Sequence, residues 1–275
     1  MSSRLKARGI VPRKSLGQNF LTDDATARRI VAAAEVGRSD LVFEIGPGTG
    51  ALTTHLVRCA GWVVAIELDQ TLIPALQDAL GGAQNVTVLH GDALEVDFIR
   101  LAQDAERAFG GSFEAIRFVA NLPYYITSAA IRRILECGLS IAAIVLTVQT
   151  EVAERVTAQP PDMSLLAVSV QFYGRPELLF RIPPSQFYPQ PGVESAVLRI
   201  KPHTQSPEVD AETFFRVVKA GFSQPRKQLR NTLATGLGIT KAQAEAALRQ
   251  SSIEPDRRAE TLSLGEWKRL TLLFM

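Results

Sequence analysis

Short, continuous runs of apolar and β-branched residues recur along the chain at Leu41–Ile45, Trp62–Ile66, Val86–Leu89, Ile116–Ala120, Ile141–Val148, Leu166–Phe172 and Ala196–Ile200. Runs of this length without polar alternation predict strands buried on both faces. Between the first five lie stretches with helical spacing of apolar residues, among them Ala51–Cys59, Thr71–Leu80, Phe98–Phe109 and Ser128–Glu136. Such alternation of strand and helix predicts a parallel sheet flanked by helices, an α/β fold. The last two runs are joined by a proline-rich segment, Ile182–Pro191, without a helical pattern. That connection predicts an antiparallel pair at the sheet edge.

After Lys201 the pattern changes. Pro202-His203-Thr204-Gln205-Ser206-Pro207 reads as a linker, and only helical periodicity follows it. The first helix there is predicted over Ala211–Phe222, with Phe214, Phe215 and Val218 on one face, and the last over Leu264–Leu273. Three parts are therefore expected: a basic N-terminal arm with a first helix over residues 1–38, a sheet domain over 39–201 and a small C-terminal helical domain over 208–275.

The net charge of +2 conceals an uneven distribution. Residues 1–38 carry eight Lys/Arg against three Asp/Glu, 39–198 carry nine against seventeen, and 199–275 carry thirteen against eight. Basic ends around an acidic centre suit a polyanionic partner, because each neutralised phosphate releases counterions. An unevenly charged solvated surface is the alternative. The longest apolar run, Ile141–Val148, is too short to span a bilayer, and the basic start lacks the apolar stretch of a secretory signal. A monomer in the cytoplasm is expected. Cys59 and Cys137 have neither metal-ligand nor disulfide spacing, His55, His90 and His203 are scattered, and no metal is expected.

The first strand runs into Glu44-Ile45-Gly46-Pro47-Gly48-Thr49-Gly50. In an open α/β sheet, ligands bind beyond the carboxyl ends of the strands, where glycines let the backbone approach them. Dinucleotide folds use G-x-G-x-x-G; here the spacing is G-x-G-x-G, preceded by an acid. A carboxylate at this turn is awkward for a pyrophosphate but helps to hold the ammonium end of S-adenosylmethionine, which favours that cofactor. Glu67, ending the second strand, is placed to accept both ribose hydroxyls, and Asp92, ending the third, to meet the adenine amine. Leu68 and Ala93 beside them are counted with the same pocket. Read singly, Glu67 is also compatible with a solvated strand end and Asp92 with a helix N-cap.

The most specific segment is Asn121-Leu122-Pro123-Tyr124 at the end of the fourth strand. The exocyclic amine of adenine is a poor nucleophile because its lone pair is delocalised into the ring. Accepting its two N–H groups on the Asn121 side-chain oxygen and the Leu122 carbonyl holds the nitrogen near-tetrahedral. Tyr124 offers a face for the base, Pro123 fixes the backbone between them, and the base must leave its stack to enter. A proline turn closed by a core tyrosine is the bland alternative. Phe187, in Phe187-Tyr188-Pro189-Gln190-Pro191, is a candidate for the other face of the base.

Together these segments resemble the ribosomal RNA adenine dimethyltransferase family, and within it the small-subunit branch. The resemblance runs from Lys14-Ser15-Leu16-Gly17-Gln18-Asn19-Phe20-Leu21 through the strand-end motifs and Phe187–Pro191 with Val193 and Ser195. It ends at Arg226-Lys227-Gln228-Leu229-Arg230-Asn231 and Arg257-Arg258-Ala259-Glu260. It implies a Rossmann-like, seven-stranded class I methyltransferase sheet and a cofactor pocket that includes Gln18, Asn19 and Leu21. The product it implies is dimethyladenosine, made by successive transfers to two adjacent adenosines near the 3′ end of small-subunit RNA. Lys14, Arg226, Lys227 and Arg230 are the expected contacts to the RNA backbone. Thr150, Gly192 and Pro161-Asp162-Met163 depart from the family pattern, so local RNA contacts there are expected to differ. Rival readings are the large-subunit adenine methyltransferase of macrolide resistance, a ribosome-assembly binding factor and, against the glycine spacing, a nicotinamide dehydrogenase.

Overall fold

The computed structural model describes residues 11–204 and 208–275. The described residues divide into two compact units, one of residues 11–153 and 177–202, the other of 154–176, 203–204 and 208–275.

The first unit is built on a seven-stranded sheet of β2 (Asp40–Ile45), β3 (Trp62–Glu67), β4 (Val86–His90), β5 (Ala115–Asn121), β6 (Ile141–Gln149), β7 (Gly174–Ile182) and β9 (Ser195–Pro202). Their order across the sheet is β4-β3-β2-β5-β6-β9-β7. β2 pairs in parallel with both β3 and β5, so the strand order reverses there, at the position where open α/β sheets bind ligands. Ile45 is level with Ile66 on one side and Ala120 on the other, which brings the carboxyl ends of three strands together. β2 is buried along its whole length, as its unbroken apolar pattern requires, and β9 runs antiparallel to β6. A separate two-stranded ribbon pairs β1 (Phe20–Leu21) with β8 (Phe187–Tyr188), antiparallel.

One predicted strand is a helix. Leu166–Phe172 lies within a helix over Leu165–Tyr173, started by the Ser164 side chain accepting the Ala167 N–H at 3.1 Å. Its composition is β-rich because the helix is apolar around most of its girth, with Ala167, Val168 and Phe172 packed into a core. The seventh strand instead follows it at Gly174–Ile182, disguised by Arg175, Pro176, Glu177 and Arg181. Charges and a proline are tolerated there because β7 ends the sheet order. The expected undivided domain over 39–201 is corrected accordingly: residues 154–176 group with the second unit.

The second unit centres on the Ala211–Phe222 helix, whose Phe214 and Val218 are fully buried, with helices at Leu229–Leu237, Lys241–Gln250 and Leu264–Thr271. Phe172 stacks on Phe214 at 4.2 Å, and Trp267 fills the same core. Met163, in the loop that departs from the family pattern, is buried there too. Among the described residues no helix is long and apolar enough to cross a membrane.

Candidate active site

A cavity of about 220 Å³ opens at the carboxyl ends of β2, β3, β4 and β5. Fourteen of the residues singled out from sequence line it: Gln18, Asn19, Leu21, Glu44, Gly46, Gly48, Glu67, Leu68, Asp92, Ala93, Asn121, Leu122, Pro123 and Tyr124. The glycine turn after β2 forms its floor. Gly48 has φ +58°, and a Cβ there would lie 3.2 Å from the Phe20 ring, so the turn needs glycine both for conformation and for space.

Two carboxylates are buried in the wall. Glu44 is 1% exposed, and its Oε2 accepts no hydrogen bond. Burial pushes its carboxyl up to about 8, an effect partly offset by Thr53 and reinforced by the neighbouring Glu67. Glu67 is held at both oxygens, Oε2 accepting the Gly48 N–H at 2.9 Å and Oε1 the Asp69 N–H at 2.8 Å. Burial raises its pKa as well, against those two hydrogen bonds. An orphaned oxygen on a desolvated carboxylate is costly unless a cationic donor completes it. The ammonium of S-adenosylmethionine is such a donor, so the residues present fit that cofactor. Asp92 combines both of its sequence readings: Oδ1 accepts the Leu94 N–H at 2.9 Å, as a turn cap, while the residue lines the cavity.

The acceptor half is equally ordered. Asn121 Nδ2 donates to the Asn19 carbonyl at 3.1 Å. The Tyr124 hydroxyl and Ser195 Oγ share a hydrogen bond of 2.7 Å, and Ser195 is fully buried at the start of β9. Burial raises the Tyr124 pKa despite that bond, so the ring carries a neutral phenol.

Several expectations need correction. Phe187 does not face the cavity; it is 4% exposed and packed with Leu21 in the core of the first unit, where β1 pairs with β8. The aromatic residue at the rim is Tyr125, 57% exposed and lining the cavity. Gly50 does not line the cavity; it serves packing, since a Cβ there would meet the Leu76 side chain at 3.1 Å and Ala79 at 3.4 Å. Arg230 is not free to bind phosphate, since it pairs with Asp256 at 2.7 Å and lies 3.6 Å from Glu245. Arg226 and Lys227 are exposed on the turn before the Leu229–Leu237 helix, without an ion-pair partner among the described residues. The backbone of Lys14 lies in a 3-10 turn, and its side chain falls outside the described residues, as do residues 1–10 of the basic arm.

Asp69 was missed. It sits two residues beyond Glu67, is 2% exposed, and accepts the Gln18 side-chain amide at 2.9 Å. The acidic residue in Glu67-Leu68-Asp69 was visible, but its partner lies fifty-one positions away and only folding joins them.

A seven-stranded sheet with a glycine turn, two buried carboxylates and an amide-and-tyrosine acceptor pocket at its switch point defines a class I S-adenosylmethionine-dependent methyltransferase. The family model for ribosomal RNA adenine dimethylases matches residues 11–274, and the chain belongs to that family, as a ribosomal RNA methyltransferase. It is 45% identical to the ribosomal RNA small subunit methyltransferase A of Pelotomaculum thermopropionicum, over 98% of this chain and 94% of the relative. The enzyme of the same name from Moorella thermoacetica is also 45% identical, over 96% of this chain and 92% of its own. Among solved structures, the 23S rRNA methyltransferase ErmE superposes with a TM-score of 0.71 at 26% identity, covering 92% of this chain and 98% of its own. A dimethyladenosine transferase from Plasmodium falciparum shares the fold with a TM-score of 0.77 at 24% identity, over 93% and 97% of the two chains.

Proposed function

We propose that the protein methylates the exocyclic amines of two adjacent adenosines near the 3′ end of small-subunit (16S) ribosomal RNA, yielding N6,N6-dimethyladenosine. It acts as a monomer in the cytoplasm, with the immature small subunit as substrate. The carrying observation is the Asn121 amide. With Nδ2 engaged by the Asn19 carbonyl, Oδ1 remains to accept one N–H of an adenine amine, and the Leu122 carbonyl takes the other.

When bound, S-adenosylmethionine would supply a methyl group on a positively charged sulfur, which leaves as the neutral thioether of S-adenosylhomocysteine. Glu44 would pair with its ammonium, Glu67 with its ribose hydroxyls and Asp92 with its adenine, and Gly46 and Gly48 would admit its amino-acid end. Asn121 and Leu122 direct the nitrogen lone pair towards the methyl, and Tyr124 holds the base by stacking, with its own hydroxyl fixed on Ser195. No strong base is required, because the alkylated nitrogen loses its proton readily, and positioning supplies most of the rate. Arg226 and Lys227 engage phosphates.

Identity of 45% to proteins named for the small subunit, against 26% to ErmE, supports the small-subunit target over the macrolide-resistance type. The test is transfer from labelled S-adenosylmethionine to small subunits that lack adenine dimethylation, with large subunits alongside and nucleoside analysis of the product. Dimethyladenosine on the small subunit is expected; label on the large subunit overturns the target. Asn121→Ala should bind cofactor yet lose at least about a hundredfold in rate. Restored subunit assembly by that variant would instead favour a binding factor.

A further inference from the structure

Asp69 is a buried carboxylate with no part in the chemistry above. Its Oδ2 accepts Gln18 Nε2 at 2.9 Å, and its Oδ1 faces Arg13 Nη1 at 3.2 Å. Gln18 Oε1 accepts the Arg13 backbone N–H at 2.8 Å, which closes a ring of bonds among the three residues. Oδ1 also accepts the Thr71 N–H at 3.1 Å and the Thr71 hydroxyl at 2.6 Å. Burial alone would raise its pKa; the bonds from Thr71 and Gln18 and the Arg13 charge outweigh burial and hold it below the usual value.

The bonds continue in two directions. Towards the cofactor, the Asp69 N–H donates to Glu67 Oε1, whose other oxygen accepts the Gly48 N–H. Towards the acceptor, Gln18 precedes Asn19, whose carbonyl accepts the Asn121 amide. Leu16, Gly17, Gln18 and Asn19 all line the cavity, so this segment is a strap along its wall, tied to Arg13 by the ring of bonds above. We infer that Asp69 is a positioning residue that latches this strap, so that closing the cofactor pocket and orienting Asn121 are one event. The inference rests on the roles proposed above for Glu67 and Asn121.

Asp69→Asn is nearly isosteric. Its carbonyl oxygen keeps the Thr71 bonds, while its amide opposes the Gln18 amide and the charge facing Arg13 is gone. Loss of a charge-assisted hydrogen bond corresponds to roughly a tenfold effect or more. Three readouts test the latch in the full-length protein: tryptic cleavage after Arg13, the Kd for S-adenosylhomocysteine, and kcat on undermethylated small subunits at saturating S-adenosylmethionine. For Asp69→Asn we expect faster cleavage, weaker binding by roughly tenfold and a kcat lower by roughly tenfold, with Thr71→Val close to wild type. Wild-type cleavage and kcat in Asp69→Asn would overturn the latch, and so would equal losses in Thr71→Val, which mark a turn-capping role only. A lower affinity with unchanged kcat would overturn the coupling to Asn121. If wild-type protein transfers nothing to small subunits, the proposed substrate fails, while cleavage and S-adenosylhomocysteine binding still decide the latch.

Discussion

Replacing Glu44 by glutamine tests whether the site holds a carboxylate at the expense of stability. Glu44 is 1% exposed with one oxygen unpartnered, and burial pushes its carboxyl up to about 8 from the 4.5 of an ordinary glutamate. The folded pKa is the higher one, so the folded ligand-free chain binds an extra proton between these two values. Stability is therefore undiminished by this group below about pH 4.5 and declines as pH rises towards 8. A shift of this size corresponds to at most ~5 kcal/mol, and relaxation or water entry reduces it to a few. Ligand-free Glu44→Gln should thus be more stable than wild type by a few kcal/mol at pH 8.5, and nearly equal to it at pH 5.

Cofactor binding should show the reverse preference. At pH 7 only roughly one free molecule in ten is ionised at Glu44, so pairing with an ammonium releases close to one proton. Affinity should then fall about tenfold per pH unit below 8, a slope that Glu44→Gln abolishes along with much of the affinity. The assays are denaturant unfolding at the two pH values and calorimetric titration with S-adenosylhomocysteine in buffers of different protonation enthalpy. Equal stability of the two proteins at pH 8.5, with binding heats independent of buffer, would refute the reasoning.

Gly48→Ala forces a side chain into the left-handed region and against the Phe20 ring, so it should cost about 1–3 kcal/mol in melting experiments and weaken cofactor binding. Ser195→Ala and Tyr124→Phe remove the same hydrogen bond from opposite ends; each should raise KM for the RNA a few-fold, and the double variant should be no worse than the poorer single, as a double-mutant cycle of methyl transfer would show. Arg226→Gln and Lys227→Gln should each lower the slope of log affinity for RNA against log salt by about one. Arg230→Gln should leave that slope unchanged and lower the melting temperature only slightly, because Asp256 and Glu245 keep contact with solvent when the pair is lost.

Much of the site could be read before folding because each motif is local. Glu44 to Gly50, Glu67, Asp92 and Asn121 to Tyr124 each end a strand, and the sheet rule that ligands gather at carboxyl ends places them together without knowledge of the register. Periodicity likewise marked the Phe98–Phe109 and Ala211–Phe222 helices at their observed bounds. It failed at Leu165–Tyr173, where apolar residues around most of the girth remove the polar face that distinguishes a helix, and at β7, where an edge strand carries charges. Tertiary structure alone decided whether a side chain faced the cavity or the core. The β1–β8 ribbon turned Phe187 inward, Asp256 and Glu245 claimed Arg230, and Asp69 found Gln18 fifty-one positions away. Sequence determined which chemical groups stand at the strand ends, since that depends on neighbours along the chain. Which of them are free to act depended on partners distant in sequence, and only the folded chain brings those into contact.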